Sequence, residues 1–276
     1  MRKKIGLAAV SLIAGCSLFI AQQNRVEVEE QKAQAERANK NSKSDISLSY
    51  LPSGLPDFAA LSNAKEKKEA FFDFMRPGVM LENSRIEKER TFLTTLEKSV
   101  AEGEVDSEQL DYAQRLGKLY SYPVTESSVN QKWLDEMLHR VNVLPEALVL
   151  TQAANESAWG TSRFATSANN FFGQWCYTKG CGVVPLKRSG EATHEVAKFS
   201  SVQESIHRYF MNVNRNAAYK ELRIIRADRL EKGENLLSEQ TATALTNGLL
   251  KYSERGQSYV DDLQAMIRHN KSFWSQ

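Results

Sequence analysis

Cysteine is scarce in this chain: three residues in 276, alongside four histidines and six prolines. Three thiols and four imidazoles, the latter in no recognised ligand spacing, do not make a metal-rich or disulfide-dense scaffold. No apolar run reaches the roughly 18 residues of a membrane-spanning helix, which excludes an ordinary span. An excess of charge of one sign is missing too. Arg2, Lys3 and Lys4 supply three of the 36 basic residues, so the remainder carries 33 against 34 acidic ones, a net charge of −1. A nearly neutral chain has no global electrostatic reason to hold nucleic acid, and none is expected as a partner. Nothing repeats at a fixed period.

What is present is ordinary for a soluble globular protein: 41% apolar and 25% charged residues. The length suits one medium domain with an extended segment, or two small domains. Residues 1–15, MRKKIGLAAVSLIAG, show a basic start, an apolar run and then small residues, the pattern of an export signal. The run ends in Leu12-Ile13-Ala14-Gly15-Cys16, which resembles the lipobox of bacterial lipoproteins. That resemblance implies cleavage before Cys16, acylation of its sulfur, and an outer-membrane anchor facing the periplasm. A plain signal peptide with an incidental cysteine is the alternative. If Cys16 carries lipid, Cys176 and Cys181 remain as an even pair in an oxidising compartment. Their segment, CYTKGC, places Lys179-Gly180 at a tight turn, and a disulfide pinching this loop is the natural reading. A zinc site would need two further ligands, and His194 and His207 stand in no such spacing.

Residues 16–61 read as a polar tether and linker, punctuated late by Pro52, Gly54 and Pro56. Residues 62–125 form a helical N-terminal region, and 126–276 a further domain. Within the former, Phe71, Phe72, Phe74 and Met75 form an apolar patch expected to stop at Pro77-Gly78, with a second helix from Val79 to Val100 and a third after Ser107. Trp133, Leu134 and Met137 mark the next helix, and Pro145 begins a strongly apolar one, PEALVLTQAANES. Residues 171–199 change character and suggest a small antiparallel sheet. Ser201 and Glu204 read as a capping box opening a helix through Tyr209 and Val213, and two more helices follow near 238–251 and 257–270. The fold class expected is therefore α+β, mostly α.

Glu156 stands out on local physics. It ends an apolar helix and is followed by Ser157, Ala158, Trp159 and Gly160. A carboxylate there is costly unless partnered, and an apolar, aromatic surround favours the protonated form that a general acid needs. A helix-end glutamate paired with Arg163 is the other reading.

The segment AANESAWGTSRFATSANNFFG resembles the signature of the glucosaminidase family (glycoside hydrolase family 73), an E-S-x-W-G setting followed by N-x-F-G. AKFSSVQESIHRYF and LLKYSERGQSYVDDL resemble the family's later motifs, and the Cys-loop variant resembles its Bax-like group. The resemblance covers about residues 130–270. It implies a lysozyme-like helical domain with a small β-hairpin lobe beside a groove, and an endo-β-N-acetylglucosaminidase that cuts β-1,4 bonds of peptidoglycan glycan strands without a cofactor or metal. Carried over by position, Glu156 is the catalytic acid and Tyr252 the active-site tyrosine. Ser157, Trp159 and Gly160 shape the presenting loop, and Asn170, Phe172 and Gly173 form the wall beside the groove. Trp175 and Tyr177 are candidates for stacking on sugar faces, or equally for hairpin core. Here the tyrosine motif reads YSERG where the family has YATDP. A second carboxylate is less well placed: Glu191 and Glu195 are nearest, with Glu195 an accessory catalytic group at most. The 2-acetamido group of the substrate offers a route that needs only one acid.

Other classes are disfavoured. A zinc amidase would need converging ligands that four scattered histidines do not supply. A cysteine peptidase would lose its nucleophile to oxidation. A non-catalytic wall-binding lipoprotein would have no use for Glu156. The sequence carries no signal for oligomeric state.

Overall fold

Asn63 starts the long helix that supports the rest of the molecule. In the computed structural model, which describes residues 54–125, 128–186 and 194–274, its side chain accepts from the amides of Lys65 and Glu66. The helix that follows, α1 (Ala64–Glu102), runs for 39 residues and ends at Gly103, whose left-handed backbone suits glycine. Cys16, the export signal, residues 16–53 of the tether and Glu191 lie outside the described residues.

α1 corrects one expectation. The helix does not stop at Pro77-Gly78 but continues through Pro77. An internal proline costs a helical hydrogen bond, and packing outweighs that cost here. A Cβ on Gly78 would lie 2.5 Å from Ile206 Cδ1 and 2.6 Å from Gln203 Oε1, so this glycine lets a later helix lie directly against α1. Gln203 also donates to the Gly78 carbonyl (3.4 Å).

Five further helices place the first half of the chain and the site: α2 (Ser107–Leu119), α3 (Gln131–Arg140), α4 (Glu146–Ser157), α5 (Arg163–Ala168) and, after the sheet, α6 (Val202–Arg215). α7 (Lys220–Glu231), α8 (Glu239–Thr246) and α9 (Gln257–His269) complete the α-helices among the described residues. α4 is buried on nearly every side, from Ala147 to Ala154. It packs against α1, α8 and α9, while α1 also packs against α3 and α6. One hydrophobic core joins Phe71, Met75 and Leu93 of α1 to Leu148 of α4, Phe210 of α6 and Leu263 of α9.

Three short strands make the β lobe: β1 (Trp175–Cys176), β2 (Gly182–Val183) and β3 (Glu195–Ala197). They pair antiparallel in the order β1-β3-β2. The two strands flanking the Cys-loop are thus not a hairpin with each other; β3 lies between them. The result is a mostly helical α+β fold, consistent with a lysozyme-like organisation. Among the described residues no helix is long and apolar enough to cross a membrane.

The Ser201–Glu204 cap takes a variant form. Ser201 accepts from the Glu204 amide (3.1 Å), but the Glu204 carboxylate reaches back to Ser200, accepting from its amide (2.9 Å) and its hydroxyl (2.6 Å).

α7 has no counterpart in the sequence reading. Its buried positions are Leu222, Arg223 and Arg226, so its inward face is largely cationic and shows little apolar periodicity. Arg226, 1% exposed, donates to the carbonyls of His139, Arg140, Asn142 and Val143 and to Asn214 Oδ1. It thereby satisfies the open C-terminal carbonyls of α3. Burial, then Arg223 and Arg90, push its guanidinium down to about 9.

Candidate active site

The end of α4 turns in an unusual way. Ala158, Trp159 and Gly160 are all left-handed, with φ of 51°, 58° and 76°. Such conformations cost L-residues energy, so something must hold them. Ser157 does: its hydroxyl donates to Ala153 O (2.6 Å) and accepts from Gly160 N (2.8 Å). Trp159 packs edge-on against Phe71 and Phe72 of α1, with the Lys68 ammonium 5.4 Å from its ring. Phe58 presses against Gly160, where a Cβ would come within 2.4 Å of its ring. The E-S-x-W-G pattern is thus a lock on the last turn, and Glu156 is presented just before the chain reverses. Trp159 serves as its anchor.

A second loop meets this turn. Asn169, left-handed with φ 51°, caps α5. Asn170 is buried and donates to Gln174 O and Ala197 O (both 2.9 Å) while its own oxygen accepts from the amides of Phe172 and Gln174. It ties the loop to β3. Gly173 follows with φ 62°, and a Cβ there would lie 3.5 Å from Glu156 Oε2. The glycine of N-x-F-G is therefore the surface that faces the carboxyl group.

Around Glu156 the polar groups are tyrosines and two side-chain amides. Tyr259 of α9 donates to Glu156 Oε1 (2.8 Å), and Asn155 Nδ2 also donates to Oε1 (3.2 Å). Gln152, one turn earlier on α4, donates to Tyr259 Oη (3.0 Å) and accepts from the Tyr209 hydroxyl. Tyr252 stacks on Tyr259 with centroids 5.3 Å apart, and its hydroxyl donates to Phe172 O (2.8 Å). Phe172, itself buried, stacks on Tyr209 at 4.2 Å. Burial first, and the charge of Glu156 with it, push the phenols of Tyr209, Tyr219, Tyr252 and Tyr259 above their ordinary pKa. These groups remain neutral donors at any workable pH. Among the described residues no cation forms an ion pair with Glu156. Arg163 instead donates to Val184 O (3.1 Å) and stacks over Phe164, so the helix-end ion pair does not form.

The β lobe uses its carboxylate differently. Cys176 and Cys181 form a disulfide. Glu195, 6% exposed, accepts from Gly180 N (3.0 Å) and Gly182 N (2.9 Å), one amide on each oxygen. It clamps the Cys-loop onto β3, as a charge-assisted pair of hydrogen bonds can. Trp175 and Tyr177 are not hairpin core: they are 57% and 72% exposed. Trp175 stacks flat on His194, centroids 4.0 Å apart. Cys176, Cys181 and Glu195 bring three potential ligand atoms within 4.8 Å of one another, but oxidised sulfurs offer no thiolate to a metal.

The structure thus brings together Glu156, Gly173, Phe172 and Tyr252 from the sequence-based candidates. It sets Asn170 and Trp159 behind them as supports, and it gives Glu195 and the exposed Trp175 and Tyr177 to the β lobe. Three residues were not singled out from sequence: Gln152, Tyr209 and Tyr259. Gln152 and Glu156 are four apart, which puts them on one helix face, but tyrosines in apolar helical stripes look like any core aromatic.

Comparison with known proteins finds a matching family and a relative. A family model for glucosaminidase, described as mannosyl-glycoprotein endo-beta-N-acetylglucosaminidase, matches residues 131–272. Protein bax of Escherichia coli (strain K12) is 33% identical over 219 residues, covering 79% of this chain and 75% of that protein. No solved structure gives a match.

Proposed function

This chain belongs to the glucosaminidase family, and on that premise we propose that it is an endo-β-N-acetylglucosaminidase acting on the glycan strands of peptidoglycan, with Glu156 as general acid. The observation that carries the reading is the state of the Glu156 carboxyl group. It is half-buried at a locked helix end, with one oxygen held by Tyr259 and the other beside Gly173. General acid catalysis needs this combination of fixed position and an accessible oxygen. The reaction runs with one carboxyl group. Glu156 gives its proton to the glycosidic oxygen as the C1–O bond breaks. The neighbouring acetamide oxygen attacks C1 to form a cyclic intermediate. Water then opens that ring and returns a proton to Glu156. Tyr252 holds the Phe172–Gly173 wall in place through its bond to Phe172 O, and Trp175 and Tyr177 offer exposed faces for sugar rings. Glu195 is engaged with loop amides and takes no part in proton transfer.

Mass spectrometry of muropeptides released from purified wall by wild type and by Glu156→Gln tests the proposal. Reducing-end N-acetylglucosamine products from wild type, and essentially none from the variant, are expected. A correctly folded Glu156→Gln protein that keeps more than a third of the activity overturns it. From the lipobox-like segment that ends in Cys16 we also propose that the protein is exported to the envelope and held to a membrane by lipid on Cys16. Cys16→Ser then moves it out of the membrane fraction or stalls its processing.

A further inference from the structure

The tyrosines around Glu156 form a chain of hydrogen bonds with one direction. The Tyr209 hydroxyl donates to Gln152 Oε1, Gln152 Nε2 donates to Tyr259 Oη (3.0 Å), and the Tyr259 hydroxyl donates to Glu156 Oε1 (2.8 Å). The direction is set at its far end. Tyr209 is fully buried against Phe172. Were the Gln152 amide turned over, its nitrogen would face Tyr209, and the Tyr209 proton would have no acceptor among the described residues. An unpaired buried hydroxyl is costly. The turned amide would also offer its oxygen to Tyr259, drawing that hydroxyl away from Glu156. As arranged, both tyrosine hydroxyls have an acceptor, and the last acceptor is Glu156 Oε1. Asn155 adds a second donor to the same oxygen (3.2 Å). Oε2 has no hydrogen-bond partner among the described residues and faces Gly173, where a Cβ would lie 3.5 Å away.

We infer that Gln152 is a positioning residue: held by Tyr209, it aims the Tyr259 hydroxyl at Glu156 Oε1 and so fixes Oε2 as the oxygen that carries and delivers the catalytic proton. The inference rests on the functional reading above for its consequence, but its geometry stands without it. The titratable groups that face this carboxyl group are Tyr209 of α6, Tyr219 before α7, Tyr252 of the following loop and Tyr259 of α9. None of them loses its proton in the working range, so the chain keeps its direction as Glu156 titrates.

A hydrogen bond to a carboxylate favours the ionised form. Tyr259→Phe removes such a bond from Oε1, so the titration of Glu156 moves upward. Gln152→Ala releases the Tyr259 hydroxyl and moves it in the same direction. In a Tyr259→Phe background Gln152→Ala has nothing left to act through. Carbon-13 NMR of protein labelled at glutamate carboxyl groups measures this directly; the Glu156 signal is the one missing from Glu156→Gln. The alkaline limb of the pH profile of muropeptide release measures it in turnover. We expect upward shifts for both single variants and no further shift in the double variant. Tyr209→Phe, which keeps the ring and its stacking, is the substitute if Gln152→Ala does not fold, with a smaller shift in the same direction. A folded Gln152→Ala that titrates as wild type overturns the inference, as does a shift of equal size with and without Tyr259. If wild type releases no muropeptides the functional reading falls, while the NMR titration still decides the role of Gln152.

Discussion

The turn at the end of α4 and the three-stranded lobe each hold a glutamate, and they treat it in opposite ways. Glu195 has both oxygens bound to backbone amides and is almost wholly buried. Glu156 has one oxygen bound by neutral side chains and the other beside a glycine. The first arrangement spends the carboxylate on local structure: the ionised form satisfies two loop amides and closes the Cys-loop. The second leaves one oxygen without a hydrogen bond among the described residues, as the proposed acid role requires. Two donors converge on each side chain; the difference is that Glu195 takes fixed backbone amides, one on each oxygen, whereas Glu156 takes orientable side-chain donors, both on one oxygen. Glu82 of α1 supplies a third case. It is buried, bound by Arg85 (2.9 Å) and His207 (3.0 Å), and works as part of a charged network between α1 and α6.

The comparison is broken most directly at the two glutamates. Glu156→Gln keeps the shape of the side chain and removes the proton, so a loss of about 10²- to 10⁴-fold in wall hydrolysis is expected with the melting temperature little changed. Glu195→Gln is expected to do the reverse. An amide cannot accept on both arms, so one loop N–H is left unpaired, at about 1.5–3 kcal/mol of stability, while most activity remains. Chemical denaturation and product analysis on the same two preparations separate these outcomes. Equal losses of activity would erase the distinction drawn here.

The disulfide sharpens the lobe's side of the contrast. Its two cysteines are five positions apart, and closing so short a loop gives about 2 kcal/mol by the chain-entropy argument. Replacing Cys176 and Cys181 by serine therefore lowers unfolding stability by about that amount and leaves Glu156 in place. Thiol counting on unreduced, denatured protein finds neither cysteine of this pair free.

A glycine pair gives a finer cut. Gly173 and Gly180 are both left-handed, with φ of 62° and 82°. Alanine at either costs about 1–2 kcal/mol in backbone strain. Only at Gly173 does the new methyl meet Glu156 Oε2; at Gly180 nothing lies within 4 Å. Matched stability losses with an activity loss confined to Gly173→Ala are expected from melting curves and product release.

The smallest effect is at Glu82. Burial alone would raise its pKa, but the His207 hydrogen bond and the Arg85 charge outweigh burial and hold it below its ordinary 4.5. A depressed folded pKa means that its contribution is complete above about pH 4.5 and is lost as pH falls below that through the folded value. The stability gap between wild type and Glu82→Gln, read from thermal melts, should narrow on acidification over that window. A gap independent of pH would argue that the pair with His207 and Arg85 adds nothing.

Much of this site was legible in the sequence. Glu156, its E-S-x-W-G setting and the N-x-F-G glycine were legible through their resemblance to the family's motifs, while local physics alone left Glu156 between an acid and a helix-end partner of Arg163. The mostly helical fold followed from apolar periodicity in α2, α3, α4, α6 and α9. Where that signal was absent or misleading, the reading failed. Pro77 looked like a stop, but the close approach of Ile206 to Gly78 carries α1 through it. α7 was missed because two of its three buried positions are arginines, Arg226 bonded to carbonyls at the end of α3 and Arg223 to carbonyls at the end of α6 and just after it, which no hydrophobic pattern records.

By itself, then, the sequence determined which carboxyl group stands at the helix end, which glycines the turns require and which two cysteines lie close enough to join. These are short-range matters of backbone conformation and chain length. Tertiary structure alone decided that Tyr259 reaches Glu156 across 103 positions of sequence, that Gln152 and Tyr209 aim it, and that Glu195 closes a loop. A hydrogen bond has a direction and a length of about 3 Å, and only the packing of α4, α6 and α9 brings those atoms within it.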